Sequence, residues 1–329
     1  MMRRGGQRGR WSGGPPVILD EEGDVASVMT VTGPVPGEEL GYTLMHEHLF
    51  LDLTKDLSTN NNYLSDPDLT LAELQRYKDA GGVTLVDQTN RGLGQDPLAV
   101  QDMAIRSGLN IVLGCGWYRE PYYEPYLYRW KTDQIAEQIV SDVAMGIDDS
   151  GVRAGIIGEI GAHFQYISPV EERMLRAAAR AQKRTGVAHT LHALRAPLGL
   201  DQLDILREEG VDPRRVVVGH AHSYPHHAYH AEVARRGAFL TFDRMGLTIE
   251  HERQRNIRLI RKLLDAGHVR HLLLSQDVCY KSDLVAYGGT GYGFLPGALA
   301  GILREAGVSD EQLHQMMVEN PRRALTGED

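Results

Sequence analysis

The chain has 329 residues, 42% hydrophobic and 24% charged, which suffices for a large core in one long α/β barrel or in two smaller domains. Its net charge of −9 argues against nucleic-acid and membrane-surface partners, and no apolar run approaches the roughly 20 residues of a membrane span. Two cysteines point away from a disulfide scaffold and towards a reducing, cytoplasmic setting, while 14 histidines justify a search for a metal site.

Residues 1–28 are rich in Gly and Arg, and WSGGPP stands where a secretory signal would need its apolar segment. A flexible N-terminal arm is expected there, followed by one domain over 29–329. Short β-branched and apolar runs then predict strands at 42–46, 83–87, 110–115, 154–160, 187–192, 216–220, 239–243 and 271–277. Amphipathic stretches between them predict helices at 71–79, 135–144, 171–183, 200–208, 230–236 and 256–265. Gly81, Gly186, Gly210, Gly237 and Gly267 stand where several of these helices should stop. Strand and helix in alternation imply a parallel sheet with right-handed crossovers, and about eight strands close a (β/α)8 TIM barrel. A doubly wound sheet is the alternative, but no GxGxxG or GxxxxGK[ST] loop follows the first strand.

In a barrel, function sits where strands end. The first predicted strand ends in His46-Glu47-His48; alternate residues share a face, so the two imidazoles should project together and Glu47 away. The fourth ends with Glu159, the fifth with His192, the sixth with His220 and the eighth with Asp277. Any one of these alone reads as a hydrogen-bonded strand end or a helix cap. Together they are four imidazoles and two carboxylates at one rim, the donor types that hold borderline divalent metals. Glu159 can bridge two ions, and Asp277 can bind one of them and accept the proton of a bridging water.

These positions resemble the phosphotriesterase-like branch of the amidohydrolase superfamily. HEHLF, AGIIGEIG, the His192 segment, GHAH, SQD and VENPRRAL are similar to that family's landmarks in order and spacing, from about Val28 to Leu325. The resemblance implies a hydrolase with two divalent metal ions, usually zinc, with manganese, cobalt or iron as alternatives, and a bridging hydroxide as nucleophile. It implies His46, His48 and Asp277 on the more buried ion, His192 and His220 on the more exposed one, and Glu159 between them. The carbamylated lysine of the best-known members has no counterpart, since no lysine lies between Ala154 and Gln182. A subgroup with glutamate there matches Glu159 and is linked to lactones, phosphorylated sugar lactones among them, and to amides. Many relatives carry aspartate where this chain has His222, which bears on any proton relay from Asp277.

The mechanism so implied is metal-assisted hydrolysis of a small-molecule lactone or other carboxylic ester, with Asp277 as the proton acceptor. Amides and phosphotriesters are alternatives on the same centre, and a non-catalytic binding protein is the alternative of another class. Tyr118 and Arg244 resemble lactonase residues that meet the substrate, and Lys281 is a candidate for an anionic substrate group. The loop 117–130 concentrates tyrosines and tryptophans, which suit a pocket wall or, preferred slightly, a homodimer interface. His226, His227 and His230 are expected at the surface, and Cys115 and Cys279 as buried thiols.

Overall fold

The computed structural model describes residues 26–246 and 249–328. Eight parallel strands run in chain order: β1 (Thr43–Glu47), β2 (Thr84–Asp87), β3 (Asn110–Cys115), β4 (Ile156–Gly161), β5 (Ala188–His192), β6 (Val216–Val218), β7 (Phe239–Phe242) and β8 (Leu272–Leu274). Each pairs with its neighbour in sequence, as a (β/α)8 barrel requires. The seam between β8 and β1 is closed by individual groups. Ser275 Oγ accepts from His46 N at 2.9 Å, and Asp277 N donates to His46 O at 3.1 Å.

The barrel is filled by one apolar residue from each strand: Met45, Val86, Val112, Ile156, Ala188, Val217, Phe239 and Leu273. Val28, Leu40, Ala324 and Leu325 plug the end where the strands start, so the polar residues are left to the other end. An antiparallel hairpin (Ser27–Thr30, Gly33–Pro36) brings Val28 there. The chain thus enters the fold by Ser27, and residues 1–25 of the expected arm lie outside the described residues.

Helices α1 (Pro67–Asp79), α2 (Pro97–Ser107), α3 (Thr132–Ala144), α4 (Pro169–Thr185), α5 (Leu198–Glu208), α6 (His227–Arg235) and α7 (Glu250–Asp265) follow β1 to β7 around the outside. Their ends follow from the sequence. Ser168 and Glu171 form a reciprocal cap on α4, Pro169 takes its first position, and Gly186 closes it at φ +73°. The α2 helix was not expected, although Asp96, Pro97 and Gly108 mark its two ends. Among the described residues no helix is long and apolar enough to cross a membrane.

His189 on β5 lies on the face opposite Ala188, fully buried, and neither ring nitrogen has a hydrogen-bond partner. Burial alone pushes its pKa down to about 3. The folded state therefore keeps it neutral while the unfolded chain takes up a proton below about pH 6.5. Stability is expected to fall as pH drops from about 6.5 towards 3, and to level off below that. In urea titrations His189→Leu should gain on wild type by about 1.4 kcal/mol per pH unit across that window. Parallel curves for the two proteins would show that His189 is not the cause.

Candidate metal centre

The polar rim is assembled by local backbone departures from regular strand. In β1 the register slips between Leu44 and Glu47, so Met45 faces the barrel interior while His46 and His48 come together, ring centroids 5.6 Å apart. Glu47 turns the other way, as expected, and is fully buried. Its carboxylate accepts from Ser275 Oγ and Gln276 N at 2.7 Å and from Val278 N at 3.0 Å, pinning the chain on both sides of Asp277. On β4, Gly158 has φ +136°, and a Cβ there would sit 2.5 Å from Thr190 O, so only glycine lets the backbone present Glu159. His220 and Asp277 lie beyond the ends of β6 and β8, both in the left-handed region at φ +57° and +48°. Such conformations in side-chain-bearing residues persist where surrounding contacts impose them, often at functional sites.

The outcome is one cluster. Glu159 Oε2 lies 2.9 Å from His192 Nδ1 and 3.3 Å from both His46 Nε2 and His220 Nε2. On the far side, Asp277 Oδ1 is 3.5 Å from His48 Nε2 and 4.0 Å from His46 Nε2. The sets His46–Glu159–His220 and His46–His48–Asp277 each offer donor atoms within 4.8 Å of one another, close enough to hold a metal ion. A third carboxylate, Asp243, lies just past β7 with its oxygens 3.3 Å from His46 Nδ1, 3.1 Å from His220 Nδ1 and 3.0 Å from His222 Nδ1.

Charge makes the same point. Burial pushes Glu159, Asp243 and Asp277 up, but neighbouring imidazoles, and Arg244 at Asp277, outweigh it. Glu159 and Asp243 are held well below the usual carboxylate range and Asp277 at about 2. Burial lowers all three imidazoles, yet Glu159 and Asp243 lift His46 well above its ordinary value and His220 to about 10, while His192 stays at about 4. Three buried anions in one place are costly unless cations stand among them. His46 is buried, and its ring nitrogens face carboxylates only at long range, Nδ1 3.3 Å from Asp243 Oδ2 and Nε2 3.3 Å from Glu159 Oε2, without a well-formed hydrogen bond to either. Nitrogen and oxygen donors around three buried carboxylates, whose charge is balanced by imidazole protons that a metal can displace, fit a pair of divalent ions.

The model of the phosphotriesterase family matches residues 26–325. The chain belongs to the phosphotriesterase family. It is 35% identical over 315 residues to a phosphotriesterase homology protein of Mycobacterium tuberculosis, covering 89% of this chain and 96% of that one. It is 29% identical to an N-acetyltaurine hydrolase of Dictyostelium discoideum, covering 92% and 98% respectively. The solved structure of a lactonase from Listeria monocytogenes superposes with a TM-score of 0.86 at 25% identity, over 92% of this chain and all of that one. This phosphotriesterase-family member is a hydrolase, and its family works through a binuclear metal centre.

The structure brings two of the three expected substrate residues to the centre. Tyr118 Oη lies 3.4 Å from His192 Nε2, with the rings edge to face. Arg244 Nη1 donates to Asp277 O at 3.0 Å and lies 3.3 Å from Asp277 Oδ2. Lys281 instead donates to Asn60 Oδ1 at 2.8 Å, so its amine is committed to a neighbouring loop. In the aromatic loop Trp117, Tyr118, Tyr122 and Tyr123 pack into the chain's own core, and Tyr126 and Tyr128 are left exposed. Of the histidines expected at the surface, His226 is exposed, but His230 is fully buried, its Nε2 2.8 Å from Ala221 O and its ring against Phe242. The α6 helix starts at His227, early enough to turn His230 inwards. Both cysteines are buried and unpaired, as expected. Asp243 was not anticipated: as the last residue of FLTFD it reads as the end of a strand.

Proposed function

We propose that this hydrolase opens lactones or other carboxylic esters at a centre of two divalent cations. His46, His48 and Asp277 would hold one ion, His192 and His220 the other, and Glu159 both. The observation that carries this reading is the single oxygen Glu159 Oε2, within 3.3 Å of three imidazole nitrogens, with Asp277 facing it across His46 and His48. Such ions, when bound, polarise a carbonyl and bring the pKa of water from 15.7 to about 7. Asp277, ionised at about pKa 2, takes the proton of the attacking water and, once protonated, is a strong acid towards the departing oxygen. Arg244 holds Asp277 in place and keeps it anionic between turnovers. Burial holds the Tyr118 phenol protonated, so its hydroxyl can donate to the substrate carbonyl.

Zinc suits this nitrogen-rich donor set, with manganese, cobalt or iron as alternatives. Similarity to the Listeria lactonase supports the lactone assignment. Amide hydrolysis is the second reading, favoured by similarity to the Dictyostelium N-acetyltaurine hydrolase, and phosphotriester hydrolysis is the third. Two buried free thiols support a cytoplasmic setting, and exposed Tyr126 and Tyr128 support a homodimer.

Elemental analysis after dialysis against metal-free buffer is expected to find close to two transition-metal ions per chain. A panel of lactones, aryl esters, N-acyl amides and a phosphotriester should then give the highest kcat/KM on a lactone or ester. An amide ranking first would install the second reading. Protein that takes up no zinc or manganese and turns over nothing in the panel would end the proposal.

A further inference from the structure

We propose that Asp243 is a positioning residue shared by the two metal subsites, one carboxylate that turns His46 and His220 so that each presents Nε2 to the centre. The proposal rests on the ligand reading above, in which these two imidazoles belong to different ions. The arrangement is close to symmetric. His46 Nδ1 lies 3.3 Å from Asp243 Oδ2 and His220 Nδ1 3.1 Å from Oδ1, while Nε2 of each ring lies 3.3 Å from the same oxygen, Glu159 Oε2. The two rings, centroids 4.8 Å apart, stand between a carboxylate behind and a carboxylate in front.

An imidazole that donates from Nδ1 carries its lone pair on Nε2, so the group that accepts at the back decides which nitrogen can bind a cation. Asp243 is fixed for that task. It is fully buried, and Oδ2 accepts from His220 N at 2.8 Å, where the backbone turns left-handed. His222 adds a third imidazole, Nδ1 3.0 Å from Oδ1, which further restrains the carboxylate. His48 is supported differently: its Nδ1 lies 2.9 Å from Thr89 Oγ1, a partner that serves one subsite alone.

This contrast supplies the test. Zinc is titrated into metal-free protein against a competing chelator, and two binding constants are read. Thr89→Val should weaken one constant, whereas Asp243→Ala should weaken both, each by about 10–100-fold. An Asp243→Ala protein with only one constant changed, or neither, would overturn the proposal. Should that variant fail to fold, zinc-loaded wild type labelled with ¹⁵N-histidine decides. Long-range ¹H–¹⁵N spectra are expected to show His46 and His220 both protonated at Nδ1, and an Nε2–H tautomer at either refutes the shared role. Wild type that binds fewer than two zinc ions defeats the ligand reading itself, and the proposal with it, before any variant is made.

Discussion

Asp277→Asn is expected to lower kcat by about 10²–10⁴-fold, the range for loss of a positioned proton acceptor, while circular dichroism stays unchanged. The substitution is nearly isosteric and keeps an oxygen for the ion, so what it removes is the charge and the basicity. The charge is what the surroundings maintain. Burial alone would push Asp277 towards its neutral form, but His48 and Arg244 overcome it and hold the group at about 2. Its backbone is also held, by the hydrogen bond from Asp277 N to His46 O and by Glu47, which accepts from the amides on either side. Metal content must be measured on the same sample, because a lost ion would also lower kcat. A variant carrying its full metal and turning over like wild type would remove Asp277 from the reaction.

The parts of this fold that were legible in the sequence are those where one residue type can mean few things. Eight apolar runs gave eight parallel strands, and a histidine or carboxylate at the end of an otherwise apolar run stood out against its neighbours. His46, His48, Glu159, His192, His220 and Asp277 all converge on one rim. Illegible were residues whose role depends on the partner rather than on the residue. Asp243 ends a strand as many aspartates do, and only the fold puts three imidazoles around it. The α2 helix was missed because Leu98 and Ile105 are exposed, which blurs its apolar periodicity. Lys281 carries a charge suited to an anion, but loop geometry, set by Asn60 and Asn61, aims it elsewhere. His230 looks polar in the sequence but lies on the buried face of its helix with Tyr229, Val233 and Ala234, where Ala221 O meets its Nε2.

Glu159→Gln should leave at most one tightly held ion per chain and lose more activity than the roughly 10–100-fold typical of a residue that merely supports a ligand. The amide keeps the shape and one oxygen, but it gives up the charge that draws His46, His192 and His220 to a common point. The same charge leaves a signature in metal-free protein. With Asp243 and, to a lesser degree, Glu159 beside it, His220 is raised to about 10 from an unfolded value near 6.5, so its stabilising contribution is complete below about pH 6.5 and fades as pH rises towards 10. Metal-free wild type should therefore lose thermal stability across that interval, while its zinc affinity rises, because an ion must displace those protons to bind. In Glu159→Gln both slopes should become shallower together without vanishing, because Asp243 still holds the His220 proton. A purely structural carboxylate would behave otherwise: its removal would lower the melting temperature at every pH and leave the number of bound ions at two.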